Sequence, residues 1–179
     1  LTWGRVPLIL VFLVIVMAAD KPLGGLWFSL ALVAMGLSAV TDLFDGYLAR
    51  KFAVVTRLGG HADPLTDKVY YAVTLPALVY LAMAGGQVAH AKILVVFTVL
   101  FLLRDLWVTF LRSMGAIYRV SGKANWSGKA RTFISFPVIC VIFYHLQAPA
   151  GWAFQIPVSV VYILEAVTMA INVISIWVY

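Results

Sequence analysis

Six apolar runs dominate this chain and leave few folds open to it. They extend from Val6 to Ala19, Leu23 to Val40, Val69 to Ala84, Ile93 to Val108, Phe133 to Leu146 and Trp152 to Tyr179. Of the 179 residues, 64% are hydrophobic and 11% charged, whereas a soluble domain carries about 25% charged residues. The expected class is therefore an integral membrane protein, and the length fits one domain covering residues 1–179. A membrane β-barrel requires strict apolar and polar alternation, which the runs lack. Helices, which satisfy their own backbone hydrogen bonds in lipid, remain. The sequence predicts an all-α fold of six transmembrane helices. Several runs fall short of the roughly 20 residues that span hydrocarbon, so charged residues must sit on helix ends that project beyond the membrane.

Basic residues set the orientation. Arg50, Lys51 and Arg57 lie in one inter-helix segment, and Arg112, Arg119, Lys123, Lys129 and Arg131 in another, while the alternate segments hold only Lys21 and Lys92. Positive residues stay on the cytoplasmic side, so both basic segments are expected there, with both termini. The net charge of +6 is then mostly a charge of that face and suits anionic headgroups or phosphate-bearing substrates. The first run is read as a retained helix rather than a cleaved signal, because a second hydrophobic span follows within a few residues. Arg5 is placed at its cytoplasmic edge, and the sequence is read as opening a few residues inside the natural protein. Cys140 is the single cysteine, which excludes an intramolecular disulfide and fits a small buried hydrophobe.

Against this background the stretch "TDLFDGYLARKFAVVTRLGGHADPLTDK" stands out. It holds Asp42, Asp45, Asp63 and Asp67, four of the seven acidic residues of the chain. If the second helix continues through Arg50, Asp42 and Asp45 share a face with Gly46 and Ala49. Asp63 and Asp67 have the other spacing that shares a helical face. Asp63 is expected to N-cap the third helix, with Pro64 in its first turn and Gly59 and Gly60 in a tight loop before it. Antiparallel helices joined by that loop would turn both pairs of carboxylates toward each other, and so many acids at a membrane edge require a cation between them. An all-oxygen donor set suits Mg²⁺ or Mn²⁺, and an acidic metal cup beside basic loops points to a phosphate-bearing substrate. Small residues on the metal-facing side leave room for a nucleotide to approach the backbone. The blander alternative, aspartates that cap helices and pair with Arg50, Lys51 and Lys68, accounts for only some of the set.

Asp42, Asp45, Gly46, Ala49, Arg50, Gly59, Asp63 and Asp67 match, spacing for spacing, the signature D-x2-D-G-x2-A-R-x8-G-x3-D-x3-D. In this the chain resembles the CDP-alcohol phosphatidyltransferase family, whose six-helix architecture would cover essentially the whole chain. The resemblance implies that an alcohol attacks the β-phosphorus of a CDP-linked lipid and releases CMP. It also implies two divalent ions, Mg²⁺ or Mn²⁺, held by Asp42, Asp45, Asp63 and Asp67, with Asp67 as general base. Asp42, Gly46, Ala49, Arg50 and Gly59 would then shape the CDP-lipid site. The stretches "RVP", "TRLGG", "ADPLTDK", "RDLWVTFLR" and "SGKART" are similar to the branch whose acceptor is sn-glycerol 3-phosphate, with Arg131 standing where a lysine is usual there.

That branch implies CDP-diacylglycerol and glycerol 3-phosphate as partners, membrane lipids as surroundings, a homodimer and no nucleic acid. Its natural setting is a bacterial inner membrane with the site facing the cytoplasm. The acceptor's own phosphate requires further cations, for which Arg112, Lys129 and Arg131 are the candidates. Arg104 with Asp105 reads as an ion pair or pocket wall, and Glu165 has no partner evident from spacing. The alternatives are the same chemistry with inositol phosphate, serine or another alcohol, or an ion-coupled transporter. A transporter places its acids near the midplane of repeated halves, whereas these cluster at one face and the halves show no repeat.

Overall fold

The computed structural model describes residues 4–20, 22–51, 57–118, 126–149, 152 and 154–177, with side-chain detail for these other than 42–51, 57–64, 116, 126–130 and 177. All regular structure among them is helical. The elements are α1 (Arg5–Ala18), α2 (Gly25–Lys51), α3 (Arg57–Ala84), α4 (Val88–Ile117), α5 (Trp126–Gln147) and α6 (Val158–Trp177). Six helices appear where six were expected, and two of them, α4 and α6, are long and apolar enough to cross a membrane by length and composition.

The distribution of side chains is inverted relative to a water-soluble bundle. Leu10, Val14, Leu26, Val33, Leu103, Leu106, Phe110 and Ile163 lie exposed on the outer faces, while Arg5, Arg104, Asp105, Arg131, Glu165 and Asn172 are buried inside. Exposed apolar area on this scale marks a surface meant for an apolar partner, and lipid fits a belt that several helices share. The core between the helices is aromatic. Phe143 stacks on Phe28 at 5.6 Å and meets Phe12 edge-on at 5.5 Å, which ties α5 to α2 and α1.

Packing joins α1 to α2 and α3, α3 to α4 and α5, α5 to α2 and α6, and α4 to α6. Among the described residues α2 and α3 share α1 and α5 as packing neighbours, and the meeting of their aspartate-bearing ends expected from the sequence lies outside those residues.

Two helix starts also differ from expectation. The third helix begins at Arg57, so Gly59 and Gly60 belong to it and Asp63 and Pro64 lie within it rather than at its cap. An interior proline loses the bond to the carbonyl four residues back, a loss that helices in lipid tolerate; Pro137 sits inside α5 in the same way. The last helix begins at Val158 instead of Trp152 because Pro157 disfavours helix at the residue before it. The Pro157 carbonyl accepts the first helical bonds, from Val160 at 3.0 Å and Val161 at 3.4 Å. Ahead of it the chain is pinned by Tyr144 Oη donating to the Phe154 carbonyl at 2.7 Å and by His145 Nδ1 donating to that of Ile156 at 3.1 Å. Between α3 and α4, Gly86 adopts φ 73°. The bonds from Gln87 N to Ala82 O and from Gly86 N to Met83 O make this a Schellman stop, where a left-handed residue is required.

Candidate active site

One end of the bundle gathers the chemistry. The helix α2 does run through Lys51, so Asp42 and Asp45 fall three residues apart in its last turns. Asp63 and Asp67 fall one turn apart near the start of α3. The side chains of Asp42, Asp45, Gly46, Ala49, Arg50, Gly59, Asp63 and Lys129 lie outside the described set, as does any closing of the carboxylates around a metal. Asp67 is the one carboxylate of the four whose contacts are described.

Asp67 is held from below. Arg5, the first residue of α1, sends Nη2 to Asp67 Oδ1 at 2.9 Å and Nη1 to Thr66 Oγ1 at 3.3 Å. The Arg5 side chain is buried, while that of Asp67 keeps 29% exposure. The guanidinium carbon lies 5.9 Å from the centre of the Phe136 ring. Phe136 in turn meets Tyr70 at 4.5 Å and Tyr71 at 5.3 Å, and Tyr71 meets Phe101 at 4.6 Å. Tyr71 stands one helical turn beyond Asp67, so this buried aromatic layer forms an apolar floor on the bundle side of Asp67 and Arg5.

A second polar cluster rests on the same floor. Arg131 lies over Phe101 at 4.0 Å and Tyr71 at 5.4 Å, close enough for cation–π attraction. Its Nη1 pairs with Asp105 Oδ1 at 2.8 Å and its Nε donates to Asn172 Oδ1 at 2.8 Å. Asp105 also pairs with Arg104 Nη1 at 3.1 Å, and Arg104 Nε donates to Ser175 Oγ at 2.8 Å. Asn172 Nδ2 reaches the Leu100 carbonyl at 3.3 Å, and Ser175 Oγ donates to the Asn172 carbonyl at 2.7 Å. Shared hydrogen bonds of this kind are what make buried charges tolerable. The network welds α4, α5 and α6 together at the site end.

The expected acceptor cations therefore occupy unlike settings. Arg131 is 5% exposed and committed to Asp105 and Asn172, with Nη2 lacking a protein partner among the described residues. Arg112 is half-buried seven residues after Asp105 on α4. Arg104 and Asp105 form the expected ion pair, with Arg131 as a third member. Spacing did not reveal Tyr71, Phe101, Phe136, Asn172 or Ser175 as site-end residues, and it placed Arg5 at the cytoplasmic edge without showing its bond to Asp67. A signal existed for α6, where Glu165, Thr168, Asn172 and Ser175 recur at helical spacing in an apolar run and all are buried.

Glu165 finds its partner at the opposite end of the bundle. His90 Nε2 lies 2.7 Å from Glu165 Oε1, both side chains being almost fully buried, and Tyr162 packs edge-on against the His90 ring at 5.1 Å. This pair joins the start of α4 to α6, away from the aspartates. Cys140 is half-buried rather than enclosed.

The all-oxygen donor set expected of the four aspartates suits hard divalent ions. Asp67 meets one condition for such a role, a carboxylate fixed at one oxygen yet partly accessible.

A family model described as CDP-alcohol phosphatidyltransferase matches residues 1–178. Among curated proteins, one from Mycobacterium tuberculosis (strain CDC 1551 / Oshkosh), named probable phosphatidylglycerophosphate synthase, is 33% identical over 131 residues, covering 73% of this chain and 58% of that protein. One from Pectobacterium atrosepticum, named CDP-diacylglycerol--glycerol-3-phosphate 3-phosphatidyltransferase, is 34% identical over 133 residues, covering 73% and 68%. A protein of the same name from Rickettsia bellii is 28% identical over 139 residues, covering 78% and 68%. The chain thus spans 58% of the mycobacterial relative's length.

Proposed function

This chain belongs to the CDP-alcohol phosphatidyltransferase family, and from that premise we propose that it transfers the phosphatidyl group of CDP-diacylglycerol to sn-glycerol 3-phosphate. The products are CMP and phosphatidylglycerophosphate. The observation that carries this reading is the signature itself, eight fixed positions distributed over the last turns of α2 and the first turns of α3. The names of the mycobacterial, Pectobacterium and Rickettsia relatives supply the acceptor.

In this reading Asp42, Asp45, Asp63 and Asp67 hold two divalent ions, Mg²⁺ or Mn²⁺, in keeping with the general metal dependence of the family. When bound, such ions neutralise the diphosphate and stabilise the departing CMP. The chain's own residues do the rest. Gly46, Ala49 and Gly59 admit the nucleotide to the backbone, and Arg50 holds the diphosphate. Asp67 accepts the proton of the acceptor hydroxyl as its oxygen bonds to the β-phosphorus and the bond to CMP breaks. Arg112 and Lys129 meet the acceptor's phosphate, with the buried cation of Arg131 behind them. The aromatic floor keeps water, a competing acceptor, from reaching the phosphorus from below.

Six spanning helices, a site facing the cytoplasm of a bacterial inner membrane and a homodimer complete the proposal. Support for the setting comes from the apolar outer faces and from the two helices long enough to cross a membrane. The test is an acceptor panel. Purified protein given CDP-diacylglycerol should release CMP with sn-glycerol 3-phosphate and not with inositol phosphate or serine. Release only with one of the other acceptors would keep the family chemistry and overturn the acceptor.

A further inference from the structure

Arg5 opens α1 in a chain region that carries none of the eight signature positions, yet it is one of the largest fully buried side chains of the molecule. Its guanidinium is fixed by two arms, Nη2 to Asp67 Oδ1 at 2.9 Å and Nη1 to Thr66 Oγ1 at 3.3 Å, and by its place beside Phe136. Thr66 and Asp67 are consecutive on α3, so their side chains diverge by about 100° around the helix. A planar fork that bonds to both is fixed in plane and in depth, as a flexible ammonium would not be. Asp67 is thereby held at Oδ1 while its side chain keeps 29% exposure.

From this we infer that Arg5 is a positioning residue for Asp67. It fixes one carboxylate oxygen and so decides how the carboxylate is presented to the acceptor hydroxyl and to the divalent ions. The inference rests on the reading of Asp67 as the proton acceptor. A role of this kind is worth much in catalysis, because a group held near its reacting geometry avoids the entropy of finding it. In this role Arg5 acts through Asp67 rather than on the substrate. The plain alternative is that Asp67 serves Arg5 as the counter-ion of a buried charge, and the two assign different consequences to the same substitutions.

The experiment uses the full chain in lipid vesicles, with Arg5→Lys, which keeps the charge and loses the fork, and Thr66→Val, which removes the second anchor without touching the pair. Arg5→Lys should lower kcat by about 10- to 100-fold while the KM of each substrate stays within about twofold. Thr66→Val should move kcat in the same direction by about 3- to 10-fold. Titration with Mn²⁺, followed by electron paramagnetic resonance without substrate, should give the parent stoichiometry with affinity weakened at least about threefold in Arg5→Lys. Combined with Asp67→Asn, Arg5→Lys should add no further loss, as two residues acting through one group do. Parent turnover and parent Mn²⁺ affinity in both variants would overturn the inference, as would losses that appear only alongside a lower melting temperature and a rise in both KM values. If Asp67→Asn remains active, the reading of Asp67 has failed, and the inference with it. If Asp67→Asn is inactive while Arg5→Lys and Thr66→Val match the parent, only the role of Arg5 is lost.

Discussion

At the scale of single residues, the proposed function gives the four aspartates unequal duties. With Asp45 proposed as a metal ligand, Asp45→Asn should weaken both metal binding and CDP-diacylglycerol binding. Asp67→Asn should retain nucleotide binding and lose most turnover, because the amide accepts Arg5's hydrogen bond but cannot accept a proton. Equilibrium binding of CDP-diacylglycerol beside CMP release separates the two. Glu165 belongs to a different category. An acid inside a membrane helix suggests function by default, but its bond to His90 at the far end makes it a tie between α4 and α6. His90→Phe should strand the buried carboxylate at a cost of about 3–5 kcal/mol, read as a lower melting temperature. Replacing both residues, as His90→Phe with Glu165→Leu, should recover much of that loss. Turnover at the temperature where His90→Phe is still folded should remain close to the parent value.

At the scale of elements, α6 carries its polar residues inward. Val161, Glu165, Thr168, Asn172 and Ser175 are all buried, whereas Ile163, Val167, Val173 and Ile174 face outward. Such a stripe is the reverse of a soluble amphipathic helix and is readable from the sequence once lipid is taken as the solvent. What it contacts is not readable. Asn172 meets Arg131, 41 residues away, and Ser175 meets Arg104, 71 residues away. This coupling decides how the acceptor site is best probed. Arg131→Gln breaks the pair with Asp105, so loss of folding would mask loss of binding. Lys129→Gln, two residues earlier on α5, is the cleaner test. It should remove a charge-assisted bond worth about 1.5 to 3 kcal/mol, raising the acceptor KM about 10- to 100-fold with the CDP-diacylglycerol KM unchanged. A rise in the donor constant alone would move Lys129 to the donor site.

At the scale of the whole molecule, the bundle has two chemically distinct ends. Arg5, Asp67, Asp105 and Arg131 gather at one, and His90, Glu165, Gln147 and the pinned stretch before α6 at the other. If the site end faces the cytoplasm, cysteines placed at Lys51 and Lys123 should both react with an impermeant thiol reagent from that side and neither from the other. Labelling from opposite sides would refute the orientation. Chelation of divalent ions should abolish turnover reversibly, and full activity in chelator would remove the metal from the proposal. By itself the sequence determined the helical class, the number of helices and the grouping of aspartates on two helix ends, because each follows from a period or spacing measured along the chain. It misjudged where α3 and α6 begin, since a proline marks both a helix start and a tolerated interior position, and only packing selects between them. The bond between Arg5 and Asp67, the weld of Arg131 to Asp105 and Asn172, and the pairing of His90 with Glu165 were decided by tertiary structure. These contacts join residues on different helices, and which helices become neighbours is set by how side chains interlock, as Phe143 of α5 does with Phe12 of α1 and Phe28 of α2.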